Sequence, residues 1–118
     1  MQIFRFGQET ARSITQFDSN LSMSRILMTA KPARIGCMYL ETNGIIGFHP
    51  AATPQILLVV YGHGWVRVDS EKRVHVETGD AVFWETGEEH ETRTDTGLIA
   101  IVIESDELDP SQFMPSRA

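Results

Sequence analysis

The segment Gln55–Tyr61, QILLVVY, constrains the fold more than any other stretch. Five aliphatic residues stand in a row, three of them β-branched, in a run too short for an ordinary helix. Such a run reads as a strand, and the residues that follow extend the pattern. Gly62-His63-Gly64 leads into Trp65–Asp69, WVRVD, which predicts a hairpin closed at the glycines. Asp69-Ser70-Glu71-Lys72 predicts a turn, Arg73–Glu77 an alternating strand, and Thr78-Gly79-Asp80 another turn. Ala81–Trp84, His90–Thr94 and Leu98–Ile103 continue the pattern, separated by Thr86–Glu89 and Asp95–Gly97.

Upstream, Ser24–Met28 and Ile35–Glu41 are expected strands split at Lys31-Pro32-Ala33, and Thr42-Asn43-Gly44 turns into Ile45–His49. The polar stretch 7–22 is expected as a loop or short helix. The tail, with Pro110 and Pro115, is expected as one helical turn around 110–113 with a frayed end. Short strands punctuated by regular turns predict an all-β sandwich or barrel. The chain's 118 residues predict one domain over 1–118.

Charge and cysteine usage narrow the partners. Sixteen acidic residues against ten basic ones give a net charge of -6, which argues against a nucleic-acid phosphate backbone as ligand. No run of about 18 apolar residues predicts a membrane span, and MQIFRFGQET lacks the apolar core of an export signal. The single cysteine, Cys37, fits a reducing cytoplasm and is expected as a small buried hydrophobe. Met23, Met28, Met38, Phe48 and Trp65 are expected in the core. His63 is expected exposed in its turn, and His75 is expected to face outward with Arg73. Phe83 and Trp84 should point to opposite faces.

Two spacings carry a family resemblance. In the first, Gly44 precedes His49-Pro50-Ala51, Gln55 follows, and six residues separate Gln55 from Gly62. In the second, five residues separate Gly79 from Glu85, then come Thr86, Gly87, two residues and His90. The region 44–97 resembles the two motifs of the cupin superfamily. It departs from them at four places: Gly44 sits one residue close to His49, Ala51 replaces a histidine, Gln55 a glutamate and Glu85 a proline. The resemblance implies a cupin-type antiparallel jelly-roll β-barrel in a small, bacterial-type, homodimeric protein that takes a small organic molecule. It implies a divalent transition metal (iron, manganese, zinc, nickel or copper) in the lumen, and no organic cofactor.

His49 and His90 match the family's metal ligands, with Gln55 at the third position. Imidazole nitrogen suits such ions; an amide oxygen is a weaker donor. A fourth donor would come from Glu41, Glu85, Tyr39 or water. Following the motif, Gln55, Leu57, Val59 and Tyr61 face the lumen, as do His90, Thr92 and Thr94. The carboxylates Glu85, Glu88, Glu89 and Glu91 crowd His90. Glu85 and Glu89 are the candidate general bases, and the cluster is expected to raise the pKa of an unliganded His90. Two functions remain open: a metal-dependent enzyme of oxygenase, isomerase or lyase type, or a metal-free binding or sensing module.

Overall fold

A computed structural model describes residues 1–69 and 72–117. The expected turn at 69–72 falls partly on Ser70 and Glu71, outside the described residues. Ten strands follow in order: β1 Gln2–Arg5, β2 Arg12–Ile14, β3 Leu21–Met23, β4 Ala33–Leu40, β5 Ile45–Pro50, β6 Gln55–Val68, β7 Val74–Glu77, β8 Asp80–Trp84, β9 Glu89–Arg93 and β10 Leu98–Ser105. All pairings are antiparallel.

The expected hairpin at Gly62–Gly64 is not a turn. β6 runs unbroken for 14 residues and belongs to two layers. Its first half lies in the order β1-β8-β6-β10-β4; its second half pairs β7 on one side and β9 on the other, with β5 beyond β9. The glycines serve the passage between layers. Gly62 sits at φ +83°, and a side chain there would run into the Gly97 carbonyl. One at Gly64 would run into the Arg93 carbonyl. Glycine is needed for close backbone crossing, and the composition that marks a turn marks that equally well.

A bulge opposite Ile99/Ala100 accompanies the passage. It shifts the side-chain alternation, so Leu57 and Val59 face the interior while Tyr61, 66% exposed, faces out. The expected lumen position of Tyr61 is thereby corrected.

Between the layers lie Leu57, Val59, Val66, Val76, Val82, Trp84, Leu98, Ala100 and Val102. A second cluster covers the outside of the first layer: Phe4, Ile56, Leu58, Ala81, Phe83, Ile103 and Met114. QILLVVY is apolar throughout because both of its faces are covered. Phe83 and Trp84 divide between the clusters as the alternation requires.

The all-β jelly-roll expectation holds, but the sheets are not closed into a barrel: β4 and β5 follow one another in sequence and are not paired. β4 is an edge strand, which explains several misplaced residues. Cys37 is exposed rather than buried, and Tyr39 is 70% exposed on the outer face. Met28 (71%), Met23 and Phe48 are also exposed rather than core. Met38 does pack against the interior, and Trp65 is half-buried.

Residues 24–28 form no strand, and 7–22 hold two 3-10 turns and the small β2–β3 ladder. The tail is pinned rather than frayed. Arg117 N–H donates to the Ile3 carbonyl, its guanidinium reaches the buried Asp80 at 2.9 Å, and Ser116 bridges to Phe4. Residues 110–113 form a turn, not a helix. No helix among the described residues is long and apolar enough to cross a membrane.

Candidate functional site

His49 and His90 stand opposite each other on the β5–β9 ladder, just past a bulge between Ile46 and His49. Their ring centroids are 4.5 Å apart at 56°. The expected convergence of two imidazoles from separate segments is therefore present. His90 is 1% exposed and stacks on Trp84 at 4.1 Å and 19°, while His49 lies on the exposed rim.

Both rings are held in the same way. His49 Nδ1 is 2.8 Å from the Gly47 carbonyl and His90 Nδ1 is 2.9 Å from the Glu88 carbonyl. A carbonyl only accepts, so each Nδ1 carries the hydrogen and each Nε2 keeps its lone pair. His90 Nε2 is buried without a protein partner, as are Trp84 Nε1 and Thr92 Oγ1 on the same inner face. An unpaired buried polar atom costs about 1–3 kcal/mol, so three together mark a place built for something polar.

Burial pulls the His90 pKa below its ordinary value. The Glu88 carbonyl opposes this shift and the neighbouring His49 adds to it. The expected rise from crowded carboxylates is overturned because burial outweighs it; the Glu88 carboxylate does pull the pKa upward, but weakly. Glu88 binds the N-terminal ammonium at 2.7 Å and accepts from Glu85 N–H. Glu91 faces out between Arg67 and Arg93. A neutral imidazole with a free Nε2 is the form that ligates metal.

The other predicted site residues are placed less centrally. Gln55 is buried at 7% on the inner face, in register with Trp84 on one side and Glu104 on the other. Glu85 is exposed and lines an outer groove with Phe83 and Asp106. Glu89 is exposed and out of step with His90 along β9. Glu41 is exposed, and Tyr39 belongs to the outer face, so it cannot be the fourth donor. Among the described residues, no three His, Cys, Asp or Glu side chains converge.

Register also identifies two inner-face residues that sequence reasoning missed. Glu104 pairs with Gln55 and with Arg34, so Trp84, Gln55, Glu104 and Arg34 form one polar row across four strands. The signal was the alternation of LIAIVIES, which puts Glu104 in phase with Ala100 and Val102. Beside this row Gly36 has open space where a side chain would be, as does Gly47 on β5. The inner face is thus open at the β4–β5 side, where His49 stands.

No protein-family model and no curated protein sequence matches the chain. Solved structures do. An RmlC-like cupin from Shewanella frigidimarina superposes with a TM-score of 0.58 at 22% identity, over 68% of this chain and 68% of that one. The chain has the cupin fold. A cupin-like protein from Thermotoga maritima gives a TM-score of 0.61 at 20% identity, over 74% and 68%. A predicted oxalate decarboxylase from Thermotoga maritima gives 0.56 at 25% identity, over 62% and 66%. In this chain, the two motif histidines occupy the β5–β9 ladder and Gln55 sits on the inner face of β6.

Proposed function

We propose that the open end of this cupin binds a small, oxygen-bearing organic molecule together with a divalent transition metal on Nε2 of His49 and His90, with Gln55 as the weak third donor. The observation that carries this reading is the buried, partnerless Nε2 of His90 beside His49. A bound metal would supply Lewis-acid polarisation of a ligand oxygen. The protein's own groups do the rest. Nδ1–H bonds to backbone carbonyls hold both imidazoles in the ligating tautomer, Trp84 Nε1–H can donate only to an acceptor such as a ligand oxygen, and Trp84 shields His90 from water. One structural neighbour is a predicted oxalate decarboxylase, and we take a small organic acid as the ligand class for this mouth. Glu85 and Glu89, which flank His90 in the sequence, remain the candidates for proton transfer, from exposed positions.

A metal-free binding module is the second reading, favoured by the want of a third His, Cys, Asp or Glu among the described residues. Metal analysis of untagged protein, before and after loading with iron, manganese, zinc, nickel and copper, separates the two. The expected result is an ion in the mouth that His90→Ala removes, lowering the stoichiometry by one without changing the β-type circular dichroism. A stoichiometry unchanged in His90→Ala overturns the metal site. The same reading takes the protein as a cytoplasmic homodimer, supported by its lone, unbridged cysteine and by the apolar outer face of β4.

A further inference from the structure

A second pair of imidazoles lies on the outer face of the layer formed by β5, β9, β6 and β7. His63 and Trp65 on β6 are out of phase with the interior residue Val66; His75 and Glu77 on β7 are out of phase with Val76. His63 Nδ1 and His75 Nε2 approach to 3.1 Å, with the rings 5.2 Å apart and tilted at 51°. Trp65 packs edge-on against both, at 5.8 and 5.7 Å. Neither histidine belongs to the motif-bearing mouth.

We propose that His63 and His75 form a separate surface site for a divalent transition ion of the zinc, nickel or copper type. The spacing is the first argument. Two nitrogens bound to one ion at ~2.05 Å stand about 2.9 Å apart at a right angle and about 3.4 Å apart at the tetrahedral angle; the observed 3.1 Å lies between them.

The tautomers are the second argument. His63 Nε2 lies 3.3 Å from Thr96 Oγ1, so an Nε2–H can donate to that hydroxyl while Nδ1 keeps its lone pair. His75 Nε2 offers its own lone pair when Nδ1 carries the hydrogen. Whichever ring donates across the 3.1 Å contact, a hydrogen on His63 Nε2 and one on His75 Nδ1 leave both facing nitrogens with lone pairs for one ion. Thr96 supplies the outer bond that fixes ligating histidines.

Rigidity is the third argument. Trp65 limits the rotation of both rings, and the strands carrying them are paired in register. Glu77 stands directly opposite His63 on the same face and lines the same groove as His63 and Thr96. A rotation of its side chain would bring a carboxylate in as third donor, the other positions being filled by water. Arg73, stacked on Trp65 at 5.3 Å, places a positive charge nearby and weakens the site. Two neutral nitrogens favour borderline ions over calcium or magnesium.

The test uses untagged full chain. Zinc is titrated calorimetrically into wild type, into His49→Ala/His90→Ala, and into the same double variant carrying His75→Ala, with melting curves for each. The double variant should still bind one zinc, and His75→Ala should weaken that binding at least tenfold and abolish the zinc-induced rise in Tm. Glu77→Gln should weaken it by a smaller factor. As a check that needs no variant to fold, the imidazole resonances of His63 and His75 should move together on adding zinc to wild type. Resonances that stay in place, or an affinity unchanged by His75→Ala, overturn the site. Loss of zinc in the mouth variant alone, with His75→Ala silent, assigns all the metal to the mouth.

Discussion

Glu91 shows how a residue's partners can outweigh its burial. Its side chain is 6% exposed, and burial alone would raise its pKa; the hydrogen bonds and charges of Arg67 and Arg93 win, and the carboxyl is held below its ordinary value. A carboxyl depressed on folding contributes stability that is present above the unfolded-state pKa and lost as pH falls through the folded one. Glu91→Gln should therefore cost about 1 kcal/mol near neutral pH, a figure discounted for the exposure of both arginines. The difference from wild type should shrink to nothing below the carboxylate range. Urea unfolding at several pH values measures it, and a pH-independent difference would remove the ion pairs as its cause. His90 is the opposite case: with burial dominant, its pKa falls, and the imidazole is kept neutral beside Trp84.

At the scale of elements, β6 organises the molecule. It carries QILLVVY through the first layer, bulges at Val60 and crosses into the second layer at Gly62. The crossing works because Gly62 combines a left-handed backbone with contact against the Gly97 carbonyl. Gly62→Ala should destabilise the fold by about 2–4 kcal/mol, combining backbone strain with overpacking. Gly87, with φ +87° and open space around it, serves as the control: Gly87→Ala should cost only about 1 kcal/mol of backbone strain. Equal costs from denaturant melts would refute the crossing argument. The same element logic accounts for the site, since the β5–β9 ladder brings His49 and His90 together and β8 delivers Trp84 beneath them.

At the scale of the whole molecule, the two edges of the first layer are treated differently. The β1 edge is closed by the tail, through Arg5 N–H to Pro115 and Arg117 N–H to Ile3, with Asp80 clamping Arg5 and Arg117 beneath. Among the described residues, the β4 edge carries no such cover. Ala33–Leu40 has one charge, Arg34, and no proline, and its outer residues Ile35 and Tyr39 are 66% and 70% exposed. They continue through Ile99 and Ile101 to Tyr61. Uncovered apolar edges of this kind pair with other chains. Light scattering should show a dimer at micromolar concentration, and Tyr39→Lys should shift it toward monomer with little change in fold. A monomer at all concentrations would remove the dimer.

Much of this was legible before any coordinates. Alternation and apolar runs determined that the chain is all-β, placed β8, β9 and β10 closely, and put Thr92 and His90 on one face, because side-chain period follows directly from local backbone geometry. Motif spacing paired His49 with His90, and the β5–β9 ladder sets the two rings side by side. Tertiary structure alone decided the rest. Whether Gly62–Gly64 turns or crosses depends on the Gly97 and Arg93 carbonyls, some thirty residues away. Whether Cys37 is buried depends on which strand ends at an edge. Whether the His90 pKa rises or falls depends on how deeply the fold buries the ring beside Trp84. Whether His63 meets His75 depends on the β6–β7 register. Each is a contact between distant segments, and local pattern carries the phase of a strand but not the identity of its neighbour.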